Sequence, residues 1–230
     1  TDDGSYNTAV GYASLSANAG NGNTALGWVA GYQLTGLNNT CVGNAAGYDL
    51  TSGSNNLFLG MDAGRSGSPG GIHNTASNRM VLGDENITNC HIQVDWTVAS
   101  DQRDKTDFTA LDVGLDFVKQ LNPVTYKWDK RSKYGDKYAE DYDLNAQTPD
   151  GTHKEDWLDI GFKAQEVEAL EKAAGYTIAN KTNLTTTLSD DGKQYGIQYT
   201  KFVPILVKAV QELSAKNDAL EARIKKLEDG

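Results

Sequence analysis

Hydrophobic and polar positions change rhythm twice along this chain. Over the first 65 residues the apolar positions are sparse and regularly spaced. Asn7-Thr8-Ala9-Val10-Gly11, Asn23-Thr24-Ala25-Leu26-Gly27 and Asn39-Thr40-Cys41-Val42-Gly43 recur at a period of 16, and Asn56-Leu57-Phe58-Leu59-Gly60 follows one residue late. Ala30-Gly31, Ala46-Gly47 and Ala63-Gly64 keep the same beat, while Leu34-Thr35 and Leu50-Thr51 close two of the units. A short fixed period predicts stacked β-turn-β units, none able to bury its apolar face alone. The glycines are expected at positive φ or at close backbone approaches, and the asparagines on turn backbone. Two arrangements fit: a solenoid made by one chain, or a shaft woven from several. Two or three aliphatics per 16 residues make a thin core for one chain, which favours a shared one.

The second rhythm begins after a loop. Ser66 to Ser77 is rich in Gly, Pro and Ser, and Met80-Val81-Leu82 is an apolar run. Ile92, Val94, Trp96 and Val98 then alternate with polar residues, the pattern of a half-buried strand that runs into Ser100. Residues 66–99 thus read as a loop and the last strands of the shaft. Beyond Lys105 the pattern is mixed α+β. Leu111 to Leu121 has helical spacing, Val124 to Trp128 reads as a strand, and residues 130–156 read as a charged surface excursion. Ile160 to Leu170 passes from strand into helix. Ser189-Asp190-Asp191-Gly192 marks a hairpin within about 176–199.

From Thr200 the spacing becomes a heptad, with Val203, Val210, Asn217 and Ile224 at a and Leu206, Leu213, Leu220 and Leu227 at d. This predicts a coiled coil over 200–229. Branched residues at a with leucine at d would by themselves suit a dimer, and a buried Asn217 would fix register.

Charge narrows the partners. With 21 basic and 31 acidic residues the chain carries -10, so nucleic acid is not an expected partner. No apolar run is long enough to cross a membrane, and the residues from Thr1 onward do not read as a signal peptide. Cys41 fills a slot held by alanine in two sister units and reads as a small buried apolar residue. Asp141-x-Asp143-x-Asn145 imitates the start of a calcium loop but lacks the glycine and the final acid, and no metal or other cofactor is expected. Trp28, Tyr12, Tyr32 and Tyr48 could stack on sugars or pack between units, and packing is favoured.

One candidate for chemistry remains. Ser100-Asp101-Gln102-Arg103-Asp104-Lys105 sits where the repetitive segment gives way to the charged one. On spacing alone, Ser100 and Lys105 suggest no more than a capped, solvated turn. The surrounding sequence, SDQRDKTDF followed by LDVGLDFVKQLNPVTYKW, GFKAQEVEAL and YGIQYTKFVPILVKA, resembles the endosialidase-type intramolecular chaperone of phage tail fibres and tail spikes over roughly residues 96–229. The resemblance implies a chaperone domain over 100–230 that releases itself by self-cleavage, with Ser100 as nucleophile, Lys105 as its base and Ala99-Ser100 as the scissile bond. A lysine accepts a proton only when neutral, and burial or a neighbouring cation such as Arg103 would favour that form. Asp101 and Asp104 either orient Lys105 or are solvated, the latter being favoured. The implied architecture is a trimeric β-rich repeat shaft followed by an α+β chaperone ending in a trimeric coiled coil. It implies a homotrimer on a virion, with a host glycan or receptor as outside partner. The rival reading is a non-cleaving trimeric adhesion or glycan-binding fibre whose coiled coil is a permanent clamp.

Overall fold

The computed structural model describes residues 4–229, so the first three residues of the repeat segment and the final glycine lie outside it. The chain forms two compact units, and neither is continuous in sequence. One runs through Cys90 and takes in Tyr126–Asp159 and Leu188–Gly196; the other comprises His91–Thr125, Ile160–Thr187 and the residues from Ile197 onward.

The first unit is built on a parallel β-solenoid. Five three-residue strands, β1 (Thr8–Val10), β2 (Thr24–Leu26), β3 (Thr40–Val42), β4 (Leu57–Leu59) and β5 (Met80–Leu82), pair in sequence order. The register places Ala9, Ala25, Cys41, Phe58 and Val81 in one row. Each coil therefore stacks on the next coil of the same chain, and the woven reading gives way to a single-chain solenoid. The interior is thin, as the composition requires: Ala25, Ala30, Leu34, Cys41, Ala46, Leu50, Phe58 and Ala63 are fully buried. Burial pushes the Cys41 thiol up to about 12, so this cysteine stays a neutral packing residue.

Polar ties supplement that thin core. The repeat asparagines form a ladder through the interior. Each Asn Oδ1 accepts the backbone N–H of its counterpart in the next coil: Asn7 from Asn23 at 2.8 Å, Asn23 from Asn39 at 2.8 Å, Asn39 from Asn56 at 3.0 Å. Their amides also hold turn carbonyls, Asn23 Nδ2 donating to Gly36 O at 2.9 Å. The ladder bonds donated by Asn39 and Asn56 are buried and the one donated by Asn23 is partly buried, so these N–H groups escape the penalty of an orphaned polar group. Glycine follows each strand because coils touch there: a Cβ on Gly27, at φ +138°, would lie 2.3 Å from Gly43 O.

The second unit has its own core of Val113, Phe117, Val167, Phe202 and Ile205. Its helices are α1 (Leu115–Val118), α2 (Ala164–Ala173) and α3 (Phe202–Glu228). The helix expected from Leu111 is shorter than its spacing suggests. Gly114, at φ -152° and ψ -124°, breaks the helical path, and the N–H of Leu115 is capped by Glu212 Oε2 of α3 at 2.8 Å. Two small ribbons, β6 (Val124–Tyr126) with β7 (Asp159–Gly161) and β8 (Thr186–Leu188) with β9 (Tyr195–Ile197), mark the points where the chain passes from one unit to the other. The second ribbon is the expected hairpin, with Gly192 at φ +71° in its turn.

Glu171 ties α2 to the start of β8. It is 1% exposed, and its carboxylate accepts five hydrogen bonds: N–H groups of Leu184, Thr185 and Thr186 at 3.2, 2.7 and 3.2 Å, and the hydroxyls of Thr185 and Thr186 at 2.6 and 2.7 Å. Burial opposes its ionisation, but the hydroxyls and N–H groups outweigh burial and hold its pKa below the ordinary 4.5 of a glutamate. A lowered folded-state pKa means this stabilisation is complete above the unfolded value and fades as pH falls through the folded one. Glu171→Ala, which orphans the donors, is expected to cost about 3 kcal/mol or more. Glu171→Gln should flatten the loss of stability below pH 4.5. Urea unfolding of both variants between pH 3 and 7 checks the pair of effects.

Candidate functional site

Ser100 and Lys105 are separated by a 3₁₀ turn, Gln102–Asp104, in the second unit. The turn forms because Asp101 caps it: Asp101 Oδ1 accepts the N–H of Arg103 at 2.9 Å. The N–H groups of Asp104 and Lys105 then close back on Asp101 O and Gln102 O, each at 3.2 Å. This folding returns the lysine side chain to the serine. Lys105 Nζ lies 2.6 Å from Ser100 Oγ and 3.3 Å from Ser100 O.

The other candidates take different places. Arg103 is turned onto Asp101, with Nη2 2.6 Å from Oδ2 and Nε 3.1 Å from Oδ1. These bonds hold the Asp101 carboxyl below the usual carboxylate range. Arg103 is thus a neutralised partner of Asp101 rather than a free cation beside Lys105. The Asp104 carboxylate bonds neither Ser100 nor Lys105. Ala99, Ser100 and the whole turn are exposed in the single chain.

The approach to the site also differs from its sequence pattern. Residues 91–99 form no strand, and Ile92, Val94, Trp96 and Val98 are all exposed. A strand requires a partner for its backbone groups, and no strand among the described residues pairs with this segment. Two clefts in the second unit lie away from this turn. One of about 110 Å³ is lined by residues such as Leu121, Phe162 and Val167, and one of about 310 Å³ by residues such as Asp112, Phe117 and Glu212. No group of His, Cys, Asp or Glu among the described residues could hold a metal ion. Asp143 instead caps the 3₁₀ turn Leu144–Ala146 and pairs with Lys193 at 2.8 Å. No helix among the described residues is long and apolar enough to cross a membrane.

Compared with family models, the chain yields a match whose first residue is Ser100. Residues 100–176 match the peptidase S74 family, the chaperone of endosialidase. The match covers about a third of the chain and contains the Ser100-Lys105 pair, α1 and α2. Its description supports a chaperone role of the tail-fibre kind, and its peptidase designation implies a self-cutting activity. No curated protein and no solved structure matches the chain. The solenoid and α3 lie outside the chaperone match, so their contribution is read from their own geometry.

That geometry includes residues the sequence pattern passed over. Phe202, Ile205 and Ala209 form a second apolar stripe on α3, buried in the core of the unit. The heptad positions face elsewhere: Val203, Leu206, Val210, Leu213, Leu220, Ile224 and Leu227 are 45% to 75% exposed. Glu171 follows Val167 by one helical turn, so a carboxylate continuing an apolar stripe was the available signal.

Proposed function

We propose that this chain is a phage tail-fibre segment in which residues 100–230 drive trimerisation and folding of the shaft and then cut the chain between Ala99 and Ser100. The 2.6 Å approach of Lys105 Nζ to Ser100 Oγ, at the first residue of the chaperone match, carries the proposal. In the cut, neutral Lys105 takes the Ser100 hydroxyl proton while Oγ attacks the Ala99 carbonyl carbon. The C–N bond breaks, Lys105 returns the proton to the leaving nitrogen, and an ester joins Ala99 to Ser100 Oγ. Water then hydrolyses the ester to leave an Ala99 carboxylate and a Ser100 α-amine. Because nucleophile and carbonyl are neighbours in one chain, the attack has the advantage of a unimolecular reaction.

A lysine bathed in water is protonated at neutral pH and cannot act as this base. The exposed turn therefore works only after assembly has covered it. Three features support self-association. The heptad seam of α3 is uncovered, the alternating Ile92-to-Val98 segment has no partner strand, and the solenoid sheet shows an outward row that includes exposed Val10, Leu26 and Leu82. The number three is taken from the family resemblance. Host recognition through a surface glycan or receptor would then fall to the fibre as a whole.

A chaperone is needed to reach the fold. Residues 1–99 expressed alone are therefore expected to scatter light as aggregates or to lack the circular dichroism of a β-sheet, whereas the same residues made with 100–230 give a soluble shaft. Equal assembly of the two preparations would refute the chaperone role.

A further inference from the structure

The compact unit that contains the solenoid also takes in Tyr126–Asp159 and Leu188–Gly196, which lie beyond Ser100 in sequence. A cut at Ala99-Ser100 would thus break the chain but leave this unit assembled from two pieces. Its seam is a buried, charged clasp. Asp62, after β4, and Glu85, after β5, are almost fully buried on the shaft side. Lys137 reaches both from the other side, with Nζ 3.2 Å from Asp62 Oδ2 and 2.8 Å from Glu85 Oε1. The hydroxyl of Tyr138 donates to Asp62 Oδ2 at 2.6 Å, and Lys130 Nζ donates to the Glu85 carbonyl at 2.9 Å.

The clasp is packed as well as paired. The Arg65 guanidinium lies between the rings of Tyr48 and Tyr138, 4.4 and 5.0 Å from their centroids. Ser132 sits so close to Gly67 that a Cβ there would lie 2.6 Å from Ser132 Cβ. Burial opposes the charge on Lys137, yet the Glu85 and Asp62 carboxylates more than offset it and hold its pKa above the usual lysine range. Removing the Lys137 ammonium from the closed seam would leave Glu85 without its cation and Asp62 with Arg65 alone. Buried charges that lose a partner carry a heavy penalty, and salt screens them far less than it screens surface pairs such as Arg79–Asp190.

We infer that scission at Ala99-Ser100 does not release the C-terminal piece: it stays seated on the last coils of the solenoid as a non-covalent cap, held by Lys137 and Tyr138 on Asp62 and Glu85. Repeat stacks need such covered ends. The inference builds on the proposed cut, so its test supplies a cut of its own. A recognition sequence for a site-specific protease is placed after Ala99 in a Ser100→Ala chain, and the cut protein is passed over a sizing column in ordinary buffer. The pieces are expected to co-elute. In Lys137→Met, dissociation followed with a fluorescent label on Cys90 is expected to be about tenfold faster or more, since truncating one partner of a buried charge pair acts on the off-rate. Tyr138→Phe, which removes only a hydroxyl, should show a smaller acceleration of the same sign. If Lys137→Met fails to reach the parent's circular dichroism before cutting, Tyr138→Phe carries the test. Prompt separation of the parent pieces, or equal retention in every folded variant, overturns the inference. Absence of self-cleavage in the natural sequence would instead refute the proposed cut alone.

Discussion

Replacing Ser100 by alanine is expected to leave a single full-length chain on a denaturing gel, where the parent is expected to give two pieces with Ser100 at the new N-terminus. The rate should fall by roughly a thousandfold or more, because removal of a nucleophile that works as a unit with its base abolishes the path. Lys105→Ala should be equally silent, and the double variant no worse than either single one. Lys105→Arg is the sharper control. It keeps a cation near Ser100 and the turn intact, but a guanidinium does not give up its proton, so a base role predicts no cutting. Mass spectrometry of the products decides the matter. Cleavage at another bond, or persistent cleavage in Ser100→Ala, would remove Ser100 from the reaction.

Charging the heptad seam should stop both assembly and cutting. Leu213 and Leu220 are 47% and 55% exposed in the single chain, so Leu213→Asp with Leu220→Asp leaves the buried stripe of Phe202, Ile205 and Ala209 untouched. Truncating one buried leucine costs about 2–5 kcal/mol, and placing a carboxylate in its stead costs more. The doubly charged seam should therefore yield folded monomers by analytical ultracentrifugation. With the Ser100 turn still in water, those monomers should remain uncut. Efficient processing by a demonstrated monomer would refute the link between assembly and chemistry.

The legible parts of this fold are those where one local rule governs. The 16-residue beat gave the strands, because Ala25 and Cys41 occupy equivalent slots and the glycines fall where coils touch. The same beat could not show which chain supplies the neighbouring coil, and the asparagine ladder that supplements the thin core is a relation between coils. Alternation at Ile92 to Val98 predicted a strand, yet alternation states only that one side wants burial and names no partner. The heptad marked the exposed apolar positions of α3, while the separate stripe of Phe202, Ile205 and Ala209 is the one buried within the chain. At the candidate site, Ser100 and Lys105 do approach, but the pairing of Asp101 with Arg103 depended on a turn geometry that spacing does not specify. The charged stretch from 130 to 156 read as surface excursion because its lysines and tyrosines carry no period. Lys137 and Tyr138 find carboxylate partners 52 and 76 residues away along the chain.

The in-chain stacking of the solenoid gives it a modular length. The coil from Asn23 and the coil from Asn39 present the same features to their neighbours: an Asn Oδ1 for the next N–H, a small buried residue at the strand centre, and a glycine where the backbones meet. Inserting a further block of 16 residues in this frame would add one rung of about 4.8 Å and leave every ladder bond closed. Longer coils also close the ladder: the step from Asn39 to Asn56 is 17 residues, and across the 23-residue step that follows Arg79 N–H still reaches Asn56 Oδ1 at 2.9 Å. The length of the solenoid can therefore be adjusted by duplication of whole coils, without redesign of its interior.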